Sequence, residues 1–520
     1  MTVAVRIEPA QLIDHLQGLV CASAKITSDT RQIKVGDIFF AYPVGHGDVF
    51  LDNRKYISAA LEQGAAAVVF DPQDLTGLEE YILRSDCYPV VNLAKFAGEL
   101  CAKWYGFPSK QMKVIGVTGT NGKTSITQWL AQALDEPGNR AAVMGTMGFG
   151  FPGHLENTGY TTPDAPRLQS ELRDLHNAGA TRIAMEVSSH ALEQDRIAGV
   201  QFHCAVFTNL TQDHLDYHVS MTEYAAAKAK LFQQFSLEHA VLNFDDSFGR
   251  ELATQLLAKQ TTKVWGFSLR PDGFNGFEKF SNRLECIYAE EVALKGNGYE
   301  CILAHKNHDS VAISAPVIGE FNLSNFIGVW TTLLTQGMNC SEAAKRLKRL
   351  VPVPGRMEII HLNKTLRTDG PLVVVDYAHT PDALEKVLIA LRPIAIQRQG
   401  SIWCVFGCGG DRDVGKRSLM GKVAQNNANH VVITSDNPRS ENPDSIIAMI
   451  QSGMDMAFNA DRIQLIPDRA AAIMAAVRHA DVRDVILVAG KGHESTQEIN
   501  GKKFDFSDQA HIQLAAGGMI

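Results

Sequence analysis

The chain has 520 residues, 45% of them hydrophobic and 20% charged, a composition that suits a globular protein of about three domains. Lys and Arg total 49 against 57 Asp and Glu, and the net charge of -8 excludes a strongly basic surface built to lie along nucleic acid or an anionic membrane. Nine cysteines, scattered and without paired Cys-x-x-Cys knuckles, predict reduced thiols in a cytoplasmic protein, and no apolar run approaches the roughly 18 residues that cross a membrane.

In chain order, Glu8 and Asp14 fall in a first helix-like segment. Short strands at 36–41 and 65–70 follow, with a helical stretch from Tyr56 to Gln63 between them. This predicts a small α/β domain over residues 1–92. From there β-rich runs at 114–118, 182–187, 204–210, 240–243 and 262–267 alternate with helix-like segments, the signature of a mainly parallel sheet covered by helices. The proline-rich joint Val351-Pro352-Val353-Pro354-Gly355 interrupts that series. Domains are therefore expected at 1–92, 93–352 and 353–520: a small α/β domain, a central P-loop ATPase-like sheet and a Rossmann-like α/β domain. No motif accounts for residues 271–306.

The central domain opens with an apolar strand running into Gly119-Thr120-Asn121-Gly122-Lys123-Thr124 and then a helix. Glycines let backbone N–H groups approach phosphate, Lys123 supplies a cation near the terminal phosphates, the Thr124 hydroxyl can ligate magnesium, and the helix points its positive end at the anion. ATP or GTP is the expected ligand. The strict Walker spacing would place a glycine where Val117 stands, so the loop is a variant. Two further blocks, Glu186-Val187-Ser188-Ser189-His190 and Asp213-His214-Leu215-Asp216-Tyr217-His218, put a carboxylate and imidazoles near it in the same domain. Beside phosphates that set suits Mg2+ better than zinc.

In the last domain four apolar strands each run into polar or glycine-rich residues: Asp376 to His379, Gly407 to Asp413, Ser435 to Arg439 and Gly490 to Glu494. Ligands of open α/β sheets bind at the carboxyl ends of the strands, so this domain is expected to hold a substrate.

These blocks, with Gly319 to Asn325, Pro354 to Glu358 and the loop 118–124, resemble the Mur ligases, ATP-dependent amide-forming enzymes of bacterial peptidoglycan synthesis, essentially end to end and in that family's order. Ser28-Asp29-Thr30-Arg31 and Thr161-Thr162-Pro163-Asp164-Ala165 are similar to the subgroup that adds the third residue to UDP-N-acetylmuramoyl-L-alanyl-D-glutamate. The resemblance implies that ATP phosphorylates the D-glutamyl carboxylate and that an amine attacks the acyl phosphate. It assigns the β- and γ-phosphates to Lys123, one magnesium to Thr124 and a second to Glu186 and His214, and makes a carbamylated Lys228 a further magnesium ligand. By pattern alone, Lys228 and Lys230 are solvated helix lysines. It also implies that Ser188, Gln194 and Arg196 hold the peptide, Ser28, Thr161 and Thr162 the uridine-muramyl part, and Asn325, Arg356 and Asp376 the nucleotide, which would then lie between domains. A cytoplasmic monomer is expected, using Mg2+ and ATP, without nucleic-acid partners or membrane insertion.

Meso-diaminopimelate ends in an ammonium and a carboxylate, lysine in an ammonium alone. An arginine in Asp436-Asn437-Pro438-Arg439 can fork that carboxylate. Arg439 with Asp436, Asn437, Gly490 and Glu494 is expected to take the distal zwitterion, and Arg412 the carboxylate beside the attacking amine. The alternatives are a lysine-adding ligase, a folylpolyglutamate-type ligase, and a nucleotide switch without chemistry.

Overall fold

The computed structural model describes residues 8–45, 50–74, 77, 79–157, 159–306, 308–362, 370–455 and 462–517. By internal contacts the chain forms two units: residues 1–290, 302–311 and 324–350 in one, and 291–301, 312–323 and 351–520 in the other. The last crossing between them, after Leu350, falls at the start of the proline-rich joint.

The first unit begins with the helix Pro9–Leu19 and four parallel strands, β1 (Ile26–Thr27), β2 (Ile38–Ala41), β3 (Ala67–Phe70) and β4 (Cys87–Pro89), in spatial order 1-2-3-4. Every residue of β2 and β3 is buried, because the helices Pro9–Leu19 and Leu93–Trp104 pack on one face and Ile57–Glu62 on the other.

The sheet that follows is built on β5 (Lys113–Thr118), β6 (Arg140–Gly145), β7 (Gly148–Phe151), β8 (His154–Glu156), β9 (Ala180–Glu186), β10 (Cys204–Phe207), β11 (His239–Asn243), β12 (Lys263–Ser268), β13 (Leu284–Lys295), β14 (Gly298–His305) and β15 (Ser310–Ala315). Its order is 8-7-6-9-5-10-11-12-13-14-15. The run from β6 to β13 is parallel, with an antiparallel hairpin at the β7–β8 edge. Its carboxyl edge presents the ends of β5, β9 and β10 side by side, since β5 pairs Val117 with Glu186 on one flank and with Val206 on the other. The unassigned stretch 271–306 supplies two short 3-10 turns, β13 and β14.

The second unit holds β16 (Glu358–Ile360), β17 (Leu372–Asp376), β18 (Ile402–Phe406), β19 (His430–Ile433), β20 (Ile463–Leu465) and β21 (Val485–Ala489) in the order 16-17-21-18-19-20. All pairs are parallel except the β16–β17 edge. One face carries the helices Pro381–Arg398, Gly415–Asn427 and Pro443–Gln451, the other Arg469–His479 and Asp508–Ala515. A two-stranded hairpin, β22 (Thr496–Ile499) with β23 (Lys502–Asp505), follows β21.

Candidate active site

The phosphate loop joins β5 to the helix Lys123–Leu134. Val117, where the strict spacing calls for glycine, is a fully buried strand residue, so the turn begins later. It is Gly119 (φ +145°) and Gly122 (φ +88°) that need to lack a side chain: a Cβ would lie 1.9 Å from Thr208 Oγ1 at the first and 2.4 Å from Asn325 Oδ1 at the second. Asn325 thus abuts the loop across the unit's own packing. Thr120 N donates to Asn209 O (2.8 Å) and Asn121 N to Asn209 Oδ1 (3.0 Å). Lys123 curls back, its Nζ donating to the carbonyls of Gly119 (2.9 Å) and Thr120 (2.8 Å).

At the end of β9, Glu186 is 1% exposed and completely engaged: Oε1 accepts from Thr146 N (2.9 Å), and Oε2 from Thr124 Oγ1 (3.1 Å) and Thr146 Oγ1 (3.2 Å). The pairing of a P-loop hydroxyl with a buried carboxylate is a hard-oxygen donor set that fits Mg2+. Thr161 Oγ1 meets Thr146 Oγ1 at 3.1 Å, and Thr162 Oγ1 donates to Glu186 O (2.9 Å) while accepting from Ser188 N (3.2 Å). The Ser188 hydroxyl caps the short helix Ser189–Glu193 by accepting from Ala191 N.

Lys228 departs from the solvated-lysine expectation. It is 1% exposed within the helix Met221–Gln233, its Nζ donates to the same Gly119 carbonyl (2.9 Å) and lies over the Tyr224 ring. Burial, and then the Lys123 charge, push its ammonium well below the ordinary lysine range, which favours the neutral, nucleophilic amine over a solvated lysine's charge. Lys230 does reach the surface side, donating to Leu192 O.

His214 adopts φ +53° and stands half-exposed with Nε2 3.6 Å from Asp213 Oδ2. Beside it His190 is held down to about 3 by burial and by the neighbouring His214 and His218. His218 is a packing residue: it is 4% exposed, with Nε2 2.8 Å from Ser189 Oγ.

A cavity of about 540 Å³ opens between β1 and the start of the helix Ala165–Asn177, lined by Ser28, Asp29, Tyr160, Asp164, Gln194 and Arg196 among others. Ser28 Oγ donates to the Asp164 carboxylate, which also caps that helix at Arg167 N. The Arg196 guanidinium donates from Nε and Nη2 to Gln194 Oε1 (2.9 and 2.6 Å) and from Nη1 to Thr162 O (3.0 Å). Ser28, Gln194 and Arg196, far apart in sequence, thus share one wall. Asp164 and Asn53, whose amide donates to Ser28 O (2.9 Å) and Phe40 O (3.1 Å), were not singled out; both are ordinary turn and cap residues by local pattern.

In the second unit, Asp376 at the end of β17 accepts from Met357 N and Ala378 N (both 2.8 Å), and Arg356 lies over the Tyr377 ring. Burial raises the Asp376 carboxyl despite Arg356. The ends of β18, β19 and β21 gather the other polar residues. Arg412 and Arg439 flank Gly409, where a Cβ would sit 3.0 Å from Arg439 Nη1 and 3.8 Å from Arg412 Cγ. Arg439 (φ +51°) donates from Nη1 to Gly410 O (2.6 Å) and from its backbone N to Glu498 O (3.0 Å). Gly490 (φ +114°) must be glycine, because a Cβ there would lie 2.5 Å from Asp436 Oδ2. Asn437 Nδ2 donates to Glu494 Oε2 (2.8 Å).

Lys491, absent from the sequence assignments, ties these together. Its fully buried ammonium donates to Asn437 Oδ1 (3.0 Å) and Glu494 Oε2 (2.9 Å). Burial alone would raise the Glu494 carboxyl; the Lys491 charge outweighs it and holds the group below its usual range. Cys408, inside the Gly407 to Asp413 block, is buried against Met420 Sδ.

Two further ion pairs anchor the loops. Arg417, 0% exposed, forks onto Glu441 (2.7 and 2.8 Å) and reaches Gly409 O. Arg469 and Asp508, both with side chains 0% exposed, pair at 2.7 Å twice over, and Arg469 also donates to Ser435 O (3.4 Å) and Ala489 O (3.0 Å). Removing one partner of such a pair strands a buried charge. Arg469→Met is expected to cost about 3–5 kcal/mol in urea unfolding, whereas Arg469→Met with Asp508→Leu recovers most of it. An Arg469→Met variant as stable as wild type would show the pair to be idle.

Residues 117–333 match the Mur ligase middle domain and 355–492 the Mur ligase glutamate ligase domain. The chain is 48% identical to the UDP-N-acetylmuramoyl-L-alanyl-D-glutamate--2,6-diaminopimelate ligase of Ralstonia nicotianae, covering 99% of this chain and 96% of that protein. The enzyme of the same name from Janthinobacterium sp. is 43% identical over 95% and 94%. A solved structure described by that name superposes with a TM-score of 0.65 at 33% identity, over 97% of this chain and 98% of the other. Phosphate loop, buried lysine and polar strand ends therefore occur in a chain matched along its whole length by these ligases, and the protein belongs to the Mur ligase family.

Proposed function

We propose that the protein is an ATP-dependent ligase that adds meso-2,6-diaminopimelate to UDP-N-acetylmuramoyl-L-alanyl-D-glutamate in the cytoplasmic assembly of peptidoglycan precursor. It acts as a monomer of three domains, 1–92, 93–352 and 353–520. The observation that carries the reading is the gathering of Arg412, Arg439, Asp436, Asn437 and Glu494 at the strand ends of a chain whose full-length relatives bear that name.

In the first step an oxygen of the D-glutamyl side-chain carboxylate attacks the γ-phosphorus of ATP and ADP leaves. In the second the amine of diaminopimelate attacks the acyl-phosphate carbon, the C–O bond breaks, inorganic phosphate departs, and the amine proton passes to solvent or phosphate. The first step brings two anions together and the second builds negative charge on the tetrahedral oxygen, so placing positive charge is the main task. Lys123 would exchange its loop carbonyls for the β- and γ-phosphates. Thr124, Glu186, His214 and a carbamylated Lys228 would hold Mg2+, which supplies charge screening between nucleotide and carboxylate when bound. Ser28, Thr161 and Thr162 are assigned to the uridine-muramyl part, Ser188, Gln194 and Arg196 to the peptide; the assignment of Asn325, Arg356 and Asp376 to the nucleotide rests on the family resemblance.

The test is ADP release with ATP, Mg2+ and the UDP-dipeptide, comparing meso-diaminopimelate with L-lysine. Release with diaminopimelate alone supports the reading; release with lysine alone keeps the ligase and removes its specificity; silence with both removes the ligase. A loop variant probes the nucleotide half separately. Gly122→Ala forces a side chain into a left-handed position 2.4 Å from Asn325, a strain of about 1–3 kcal/mol, and is expected to weaken ATP binding at least about tenfold in calorimetry. Unchanged affinity would mean that the loop does not carry the phosphates.

A further inference from the structure

The stretch without a motif ends at Lys306, and His305, the last residue of β14, and His308 beyond it lie beside β13 and β12 at the amino-terminal edge of the sheet's parallel run, away from the phosphate loop at the carboxyl edge. Glu285, in register with Trp265, has Oε2 2.8 Å from His305 Nε2, and its Oε1 is held by Lys263 Nζ at 2.8 Å. His308 stacks on His305 at 4.1 Å between ring centroids, and Trp265 backs His305 at 5.7 Å. One ligand atom from each of Glu285, His305 and His308 lies within 4.8 Å of the others. Glu285 and His308 also line a surface cavity of about 560 Å³.

We propose that Glu285, His305 and His308 form a binding site for a divalent transition metal such as Zn2+, separate from the magnesium site of the reaction. Two imidazoles and one carboxylate make the donor set zinc takes with a fourth position left to solvent, and the cavity lined by Glu285 and His308 offers solvent beside the trio. Burial favours the neutral His305 imidazole, which ligates through the Nε2 lone pair with its single proton on Nδ1, so the N–metal bond forms without net proton release from this ring. Lys263 already occupies the second oxygen of Glu285 and fixes the carboxylate, as second-shell partners do. Lys306 and Arg283 in the cavity wall oppose the ion's charge and set its affinity below that of a structural zinc finger. Bound, the metal clips β13 to the β14–β15 turn. The neighbouring trio His203, Glu238 and His239 has comparable spacing but is a poorer site, because the Trp265 indole N–H donates to His239 Nδ1 (3.2 Å) and occupies that lone pair.

The experiment titrates Zn2+ into full-length, chelator-treated protein in excess Mg2+ by calorimetry, with Co2+ absorption reporting the geometry. One site is expected. It weakens at least about tenfold in His308→Ala and in Glu285→Gln and is unchanged in Glu238→Ala. His308 is exposed, so its variant tests the site without disturbing the core, and ADP release in Mg2+ stays at the wild-type rate. No binding to wild type, equal binding to His308→Ala, or loss in Glu238→Ala would each overturn the proposal.

Discussion

Lys228→Ala is expected to lower kcat for ADP release by about a thousandfold to a hundred-thousandfold, the range over which one charge-placing group governs phosphoryl transfer. The side chain is fully buried at the phosphate loop, and burial shifts its amine toward the neutral form. A neutral amine adds to carbon dioxide, forming a carbamate and releasing one proton; an ammonium cannot. The reading therefore requires three further results. Wild type stripped of carbon dioxide loses activity and regains it with bicarbonate. Short carboxylates partly restore the alanine variant, whereas Lys123→Ala is not restored by them. Activity also falls as pH drops through the lowered Lys228 value, because protonation removes the nucleophile. Full activity in Lys228→Ala would end the assignment.

Arg439→Ala is expected to remove most of the choice between diaminopimelate and lysine. A pocket built around a carboxylate rejects a ligand lacking it by about ten-thousandfold or more in kcat/KM, because its arginine is left unpaired. Deleting that arginine costs about 2–5 kcal/mol on the diaminopimelate side, roughly thirtyfold to several-thousandfold, and costs lysine little. Arg439 Nη1 now rests on the Gly410 carbonyl, so the free pocket keeps its guanidinium occupied and ready to be exchanged. The measurement is kcat/KM for both amino acids in wild type and variant. Equal losses for the two would place Arg439 in loop structure rather than in recognition.

What was legible in the sequence was local. The strand, glycine turn and helix around Lys123 are contiguous, and the polar endings of β17, β18, β19 and β21 each follow directly on an apolar run, so both survive without tertiary information. Lys228 shows a signal that a coarser reading passes over. Tyr224, Ala227, Lys228 and Leu231 recur at 3.6-residue spacing and are all buried, so the lysine stands on the apolar stripe, whereas Lys230 lies off it. Residue type outweighed position in the expectation of a solvated side chain. Lys491 lies inside the Gly490 to Glu494 strand ending, but nothing in that block's residue types marks its side chain as buried. Arg469 and Asp508 lie 39 positions apart with no periodic relation, and nothing short of the fold brings them together. The Glu285–His305–His308 trio joins two strands and a turn through sheet register, which no single-sequence pattern encodes.

The Arg469–Asp508 pair also sets an order of events during synthesis. The loops ending β18, β19 and β21 are all made by residue 494, yet the cation that grips the carbonyls of Ser435 and Ala489 is neutralised only by a carboxylate that follows them, at the head of the helix Asp508–Ala515. A nascent chain halted before residue 508 would carry every side chain of the amino-acid pocket with Arg469 uncompensated in its interior. Maturation of this pocket is therefore timed by the emergence of one late helix rather than by the appearance of the residues that touch the ligand.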